Sequence, residues 1–473
     1  MNFLKTLITI LALFALSFAY MLHAQRDPNL VPWEIATAHP DRVFLSFYGN
    51  PAYARSVSWR TSSDVAKAYV EVAPALGESR FDRNAVRIEA KTQAIDLNES
   101  TFNIQGVVHY HSVVMGNLQP DTLYAYRVGD GEEVWSEWIQ FRTAHVEPKP
   151  FKFVYFGDAQ NYVYSHWSRV IRMAFQTASD APVAIHAGDL VNRAHRDYEW
   201  AEWFEAGDWL HSQWTGLPVP GNHEYDRFDR EARDAERVLS HTWRGQFELP
   251  VETELPEILH ETVYTVEYQG VQFIALNSNR EQEAQIPWLK EQLSKKGPRW
   301  RVVTFHHPVF SPGNDRDNPE LRDAWKPIFD EYGVDLVLQG HDHTYARGQV
   351  PVQSHDGVFK KDTFQTMYVT SVSGPKMYEI REGKFDSYGK EHGLVPQRQA
   401  ENTQFFQVIE VDGNQMTYNA YTATGDLYDR AVITKDFESG VKIIEQQVPE
   451  SPRRTHSNTE EYSREDIKAF FKE

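Results

Sequence analysis

Cysteine is absent from all 473 residues, and that absence removes several chemistries at once. There can be no disulfide framework, no thiolate zinc finger, no iron–sulfur cluster and no cysteine nucleophile. Any metal site must therefore be built from His, Asp, Glu or Asn. Positive charge is also scarce: 48 Lys and Arg face 67 Asp and Glu, a formal net charge of −19. An excess of acid on this scale repels a phosphate backbone and excludes a basic nucleic-acid platform, although a local cation inside a pocket can reverse the field there. Long hydrophobic runs are missing beyond residue 22, so no transmembrane span is expected in the mature chain. What the sequence does have is core-forming material: 41% hydrophobic residues with 13 Trp and 23 Tyr, enough for a large buried interior. The length suggests about two or three domains.

Residues 7–22 are apolar apart from Thr9 and Ser17, follow Lys5 and lead to Ala24 before the charged Arg26 and Asp27. Residues 1–24 read as a signal peptide, cleaved after Ala19 or Ala24, which predicts export to a periplasm or to the medium. Within 25–147, short alternating segments at 43–47, 56–59, 69–72, 109–115, 123–128 and 140–143 are separated by turn residues, the pattern of an all-β sandwich. This module carries no ligand-like cluster and is expected to pack beside the working domain. From 148 to 435 the texture changes. Apolar runs at 151–156, 183–187, 271–276, 301–305 and 334–338 alternate with amphipathic segments at 165–177, 286–295 and 319–332, predicting an α/β layered domain with ligands at strand ends. Residues 436–473 turn charged and read as a solvated tail, with a capping box at 463–466 opening a short helix.

Five short motifs each follow an apolar run: Gly157-Asp158-Ala159-Gln160, Gly188-Asp189, Gly221-Asn222-His223-Glu224, His306-His307-Pro308 and Gly340-His341-Asp342-His343. Ligands placed where strands end are held by a rigid sheet while loops shape the pocket. His, Asp and Asn drawn from distant loops suit borderline divalent or trivalent metals. The carboxylate of Asp189, with two oxygens, is the natural bridge between two ions.

In this order, GD, GD, GNHE, HxP and GHxH resemble the calcineurin-like metallophosphoesterase family, specifically its purple-acid-phosphatase branch. Residues 118–129, Leu-Gln-Pro-Asp-Thr-Leu-Tyr-Ala-Tyr-Arg-Val-Gly, resemble the strand that closes the N-terminal domain of those enzymes. The resemblance runs from about Pro40 to Lys435. It implies a multidomain chain, an N-terminal fibronectin type III-like β-sandwich followed by an αββα metallophosphoesterase domain. It also implies two metal ions, the first held by Asp158, Asp189 and His343, the second by Asp189, Asn222, His306 and His341. A hydroxide between them would attack the phosphorus of a small phosphate ester. His223, matching the family's non-ligand histidine, would stabilise the transition state or protonate the leaving group, or else only orient Asn222. His306 is the better ligand than its neighbour His307, because Pro308 completes HxP.

Two departures fall on the first metal. Where purple acid phosphatases carry a tyrosine ligand this chain has Asn192, and where other members end the first motif in His it has Gln160. Either residue could serve as a ligand or as a support, and without a phenolate the ions are expected to be divalent Fe, Mn or Zn, with no purple colour. Arg316, in the segment after His306, is a candidate phosphate clamp or else an ordinary surface ion pair. Trp200, Trp203 and Phe204 read as helical core, residues 226–237 as a solvated charged face, and Tyr345 as a residue that could edge the pocket. Asn98-Glu-Ser100 fits a glycosylation triplet that the rest of the sequence does not support. The reading that results is an exported metal-dependent phosphomonoesterase. The alternatives are a phosphodiesterase or nucleotidase on the same site, and a non-catalytic metal-binding adhesion or scaffold protein.

Overall fold

Two sequence periodicities build the molecule, one of period two in front and one of buried runs alternating with helices behind. The computed structural model describes residues 32–97, 106–228, 232–313, 316–352 and 363–454. The expected signal peptide at 1–24, the glycosylation triplet at 98–100 and the capping box at 463–466 lie outside them. In front, one antiparallel sheet runs in the order Val86–Glu89, Tyr69–Pro74, Leu123–Gly129, Ile139–Arg142. Facing it are Lys91–Asp96, Val107–Met115, Arg55–Ser62 and Asp41–Ser46. Leu45, Val57, Trp59, Val70, Val113, Tyr126 and Phe141 fill one buried cluster from these strands. Val86–Glu89 and Lys91–Asp96 are absent from the sequence reading. Both are edge strands with mostly exposed residues, and edges carry little apolar signal.

The second front sheet does not stop at the domain boundary. Ser46 pairs in parallel with Gly216, so the sheet continues into an eleven-stranded one. Beyond that seam come Thr215–Pro218, Val183–His186 and Phe151–Phe156, mutually parallel, then antiparallel Phe405–Asp412, Gln415–Thr422, Leu427–Lys435 and Lys442–Gln446. A buried ion cluster locks the same seam. Asp197 accepts from Arg42 at 2.7 and 2.8 Å and from Arg60 at 3.0 Å, and burying these charges is tolerable only because each is paired.

A second sheet of seven strands lies against the first, with Val271–Ala275, Trp300–Thr304, Leu336–Gln339 and Thr366–Thr370 parallel at its centre. The two sheets interlock through rings such as Phe153 on Phe273, with centroids 5.1 Å apart at 88°, an edge-to-face pair. Outer helices complete four layers. Ser168–Thr177 and Asp197–Gly207 bury Val170, Ile171, Trp200, Trp203 and Phe204 with the first sheet, so the aromatic trio is core as read. Pro319–Tyr332 starts with Pro at its first turn and ends at Gly333 with φ +64°, start and stop chemistry visible in the sequence. Its buried Leu321, Trp325, Ile328 and Phe329 pack with Val303, Phe305 and Val337 of the second sheet.

Two expectations are corrected. The chain does not become a solvated tail at 436: Lys442–Gln446 adds a strand, and the buried Lys442 Nζ lies 3.1 Å from Asp335 and donates to the carbonyl of Val334 at 3.0 Å. A lysine that reads as surface charge is thus an internal cross-tie. Tyr345 does not edge a pocket, since its hydroxyl is buried against Asp429 at 2.6 Å, where Arg347 also pairs at 2.7 Å.

Candidate metal centre

Each motif sits where a parallel strand ends. Asp158, Asp189 and Asn222 follow Phe151–Phe156, Val183–His186 and Thr215–Pro218 of the first sheet, and His306 and His341 follow Trp300–Thr304 and Leu336–Gln339 of the second. The two sheets therefore present their ligand loops at the same end of the sandwich. The loops come so close that side chains are excluded between them. A Cβ on Gly340 would collide with Asp158 Oδ1, and one on Gly188, which has φ +86°, would lie 2.7 Å from His306 Nδ1. Asp189, His341 and His343 themselves adopt φ of +51°, +75° and +47°. Such conformations cost about 1–3 kcal/mol each and persist where the surroundings fix them.

Four donor atoms converge on one point. His306 Nε2 lies 3.1 Å from Asn222 Oδ1, 3.1 Å from His341 Nδ1 and 3.3 Å from Asp189 Oδ2. Two imidazole nitrogens on one ion at about 2.0–2.1 Å stand roughly 3 Å apart, so this spacing fits a shared cation. A second group adjoins it through Asp189. Asp158, Asp189 and His343 bring ligand atoms within 4.8 Å of one another, and Asp158 Oδ2 lies 3.0 Å from His343 Nε2. That oxygen nevertheless has no aligned hydrogen bond, and neither does the buried Gln160 Oε1. Orphaned buried acceptors are costly unless something else satisfies them, and a cation is the group that carboxylate, amide and imidazole donors share. The residues fit two metal ions.

Braces hold the donors in place. His306 Nδ1 donates to the Ala187 carbonyl at 2.9 Å and His343 Nδ1 to the Lys376 carbonyl at 2.8 Å, fixing the other ring nitrogen as the ligand atom. Glu224, fully buried, accepts from the amides of Gly221, Asp189, Leu190 and Val191 at 2.7, 2.8, 2.9 and 3.2 Å. It thus ties the Asn222 loop to the Asp189 loop. Burial first, and then the Asp189 charge, raise Glu224 to about 8. Burial opposes in both cases, yet His306 and His223 hold Asp189 well below the usual carboxylate range, and Asp189 and Asp158 raise His306 to about 9. Metal capture is therefore coupled to loss of that proton. His341 is pushed well down by burial and then by His307 and His306, which suits a neutral ligand.

His223 stands at the edge of the cluster. Its backbone N–H donates to Asp189 Oδ1 at 2.9 Å, its Nδ1 to the Asn192 carbonyl at 2.7 Å, and its Nε2 lies 3.9 Å from Asp189 Oδ2. Burial pushes its pKa down, with Asp189 opposing. The Asn192 carbonyl is itself set by Glu199, which accepts from the amides of Asn192 and Arg193 at 2.7 and 2.8 Å.

Several candidates take different places from those foreseen. Gln160 donates through Nε2 to Asp189 Oδ2 at 2.6 Å, so it touches the bridge. Arg316 is neither a free clamp nor an ordinary surface pair. Its Nε and Nη2 are spent on Asp342 at 2.9 Å and the His341 carbonyl at 2.8 Å, and Asp342 is fully buried. His307 lies within the same donor distance as His306 and His341. Its Nδ1 is engaged by Ser278 Oγ at 2.9 Å, and burial then His306 push it down to about 3. Arg237 belongs to no solvated face: its Nη2 donates to the Asn222 carbonyl at 2.5 Å and its Nε to the Tyr225 carbonyl at 2.8 Å. Sequence reasoning missed Arg237, Lys376 and the anchoring role of Glu224. Only Glu224 left a signal, its place inside GNHE.

Two family models match the chain, the purple acid phosphatase N-terminal domain over residues 40–143 and the calcineurin-like phosphoesterase over residues 151–345. Two uncharacterized proteins of Mycobacterium tuberculosis are 28% identical over 338 residues, an alignment covering 64% of this chain and 61% of theirs. Purple acid phosphatase 18 of Arabidopsis thaliana is 25% identical over 340 residues, covering 69% of this chain and 71% of its own. In fold, the chain is similar to the purple acid phosphatase PPD1 from yellow lupin seeds, with a TM-score of 0.67 at 17% identity over 85% of this chain and 75% of that one. It is also similar to the structure of PhoD, with a TM-score of 0.59 at 14% identity over 88% and 94%.

Proposed function

Since the chain belongs to the calcineurin-like phosphoesterases and carries the purple-acid-phosphatase N-terminal domain in front, we propose that it is a metal-dependent phosphomonoesterase acting on small phosphate esters. The observation that carries this reading is the meeting of Asn222, His306, His341 and Asp189 donor atoms beside the Asp158, Asp189 and His343 group. Asp158, Asp189 and His343 would hold one ion, with Gln160 beside them, and Asp189, Asn222, His306 and His341 the other. When bound, the metal pair supplies Lewis-acid charge for the phosphoryl oxygens and lowers the pKa of water.

The chain's own residues do the rest. Asp189 Oδ2 meets both halves of the site, His306 on one side and Gln160 on the other, while Oδ1 accepts from the His223 amide, and the carboxylate keeps the two halves in register. Gly188, Gly221 and Gly340 leave room for the loops to close on it. His223 has its Nδ1 proton committed to Asn192, so its Nε2 is the atom left to face the reacting oxygens, and it would give a proton to the leaving oxygen from the imidazolium form, in which Nε2 is protonated as well. Asn192 acts through its carbonyl, as a support of His223.

With Asn192 in place of a tyrosine ligand, the ions are read as divalent Mn, Zn or Fe and the protein as colourless. Elemental analysis finding stable Fe(III) with a visible charge-transfer band would overturn that part. Export is inferred from residues 1–24 and is checked by N-terminal mass determination of the protein from its own cells. Among the described residues, no helix is long and apolar enough to cross a membrane. The activity is tested by initial rates on an aryl phosphomonoester and the matching bis-aryl diester, each with a chelator control. A chelator-sensitive preference for the monoester supports the reading. Preference for the diester would make the protein a phosphodiesterase on the same residues.

A further inference from the structure

The strand Val271–Ala275 runs parallel to Trp300–Thr304 and leads into Asn277-Ser278-Asn279, a strand-end loop that carries no candidate ligand. The loop acts instead on a histidine of the next strand end. Ser278 is buried, and its Oγ accepts the backbone N–H of His307 at 3.0 Å and meets His307 Nδ1 at 2.9 Å. A hydroxyl has one proton to give. If Nδ1 donated to Oγ, the proton of the serine would be left in a buried place where, among the described residues, no other acceptor meets it. The arrangement that satisfies both groups has Oγ–H donating to Nδ1. A neutral ring held in this way carries its proton on Nε2, and a charged ring would carry one there as well.

Burial divides the cluster into a floor and a mouth. Asp158, Gln160, Asp189, His306 and His343 are buried, whereas Asn222, His223, His307 and His341 are partly exposed, so a ligand reaches the cluster past these four. The His307 ring packs on that of His341, with centroids 4.3 Å apart at 50°, and a His307 ring nitrogen lies within 4.8 Å of ligand atoms of His306 and His341. Among the described residues, His307 Nε2 has no hydrogen-bond partner, and it is not shut off from solvent. A nitrogen that keeps its proton cannot ligate a cation, but it can give a hydrogen bond to an anion. Arg316, the expected phosphate clamp, is spent on Asp342 and the His341 carbonyl. His307 thus brings to the mouth of the site an N–H that no protein group uses.

We propose that His307 is a substrate-binding residue whose Nε2–H donates to a non-bridging oxygen of the phosphoryl group, with Ser278 fixing the tautomer that makes this possible. This rests on the phosphomonoesterase reading above. The hydrogen bond is charge-assisted, because the phosphoryl oxygens are anionic, and a donor fixed in place before the substrate arrives costs no reorganisation during the reaction. The proton stays on the ring throughout, so His307 makes and breaks no covalent bond. The two histidines at the mouth then divide the work: His307 holds the phosphoryl group and His223 serves the leaving oxygen.

The test uses the full chain loaded with manganese, as wild type, His307→Ala, His307→Gln and Ser278→Ala. Manganese content is determined for each, calorimetry measures the binding of methylphosphonate, which cannot be hydrolysed, and kinetics are followed on an aryl phosphomonoester. His307→Ala is expected to hold as much manganese as wild type, to bind methylphosphonate about tenfold more weakly and to lose about a hundredfold in kcat/KM, the scale of removing one fixed donor. His307→Gln, whose amide can place an N–H near the position of Nε2, should recover about half of the logarithmic loss in affinity. Ser278→Ala, which frees the tautomer, should cost about threefold in affinity. An alanine variant with wild-type affinity for methylphosphonate would overturn the proposal. So would loss of manganese from that variant, which would make His307 part of the metal site, or a glutamine variant that recovers nothing. If methylphosphonate binding depends on His307 but the wild type does not hydrolyse the ester in a chelator-sensitive way, the phosphomonoesterase reading fails and the anion contact stands.

Discussion

The two halves of the ligand cluster are built differently. On the second-metal side, Asn222 Oδ1 and His341 Nδ1 each lie 3.1 Å from His306 Nε2, the His306 ring is held by the Ala187 carbonyl, and the carbonyls of Asn222 and His341 are held by Arg237 and Arg316. On the first-metal side, the Lys376 carbonyl holds His343 at 2.8 Å and the His341 amide donates to Asp158 Oδ1 at 2.6 Å. Yet Asp158 Oδ2 meets His343 at 3.0 Å without hydrogen-bond alignment, and Gln160, which touches Asp189, leaves its Oε1 without a partner. Both halves are held by neighbours, but the first keeps two buried acceptors, Asp158 Oδ2 and Gln160 Oε1, that an ion would have to satisfy, so the second position should bind metal more tightly than the first. Asn192 and Gln160 fall on the weaker side. The departures from the family pattern and the looser geometry thus coincide.

This asymmetry can be broken or sharpened by substitution. Asp189→Asn removes the carboxylate shared by both halves and should lower turnover by more than about a thousandfold, the scale of losing a central electrostatic stabiliser, with both ions weakened in metal titrations. His341→Ala should cost on the order of a hundredfold or more in rate and release only the tight ion. Glu224→Gln, which loosens the four amides joining the Asp189 and Asn222 loops, should weaken metal binding about 10–100-fold, the range for groups that orient ligands. Gln160→Ala should cost about tenfold, confined to the looser ion. If it weakened the tight ion equally, the two halves would be one unit.

The smallest effect concerns the segment beside Arg316. Burial opposes, but hydrogen bonds from Arg322 and Tyr388 outweigh it and lower Asp317 to about 2 from 3.8. A depressed carboxylate contributes stability that is present above its unfolded pKa and lost as pH falls through its folded one. The melting-temperature deficit of Asp317→Asn, below about 2 °C because the pair is partly exposed, should be constant above pH 3.8 and vanish towards pH 2. A deficit independent of pH would remove the linkage.

Much of this was legible in the sequence because ligand motifs are local and sit at strand ends. Asp158, Asp189, Asn222, His306, His341 and His343 each follow an apolar run, and the folded chain gathers all of them. What was hidden is non-local. Arg237 and Lys376 acquire meaning only through the carbonyls they donate to or carry, and the sequence does not show which loop those carbonyls will face. Lys442 reads as tail charge because its partner, Asp335, is more than a hundred residues away in sequence. The edge strands at 86–89 and 91–96 were hidden for the opposite reason, since exposed residues need no apolar pattern.

The central claim is that Asp189 joins two metal positions of unequal strength. Metal titration with elemental analysis of the wild-type chain and of Asp189→Asn tests it most directly. The account predicts two ions per wild-type chain bound in two resolved steps, with both steps weakened in the variant. One ion at saturation, or two equivalent steps that survive the loss of Asp189, would contradict it.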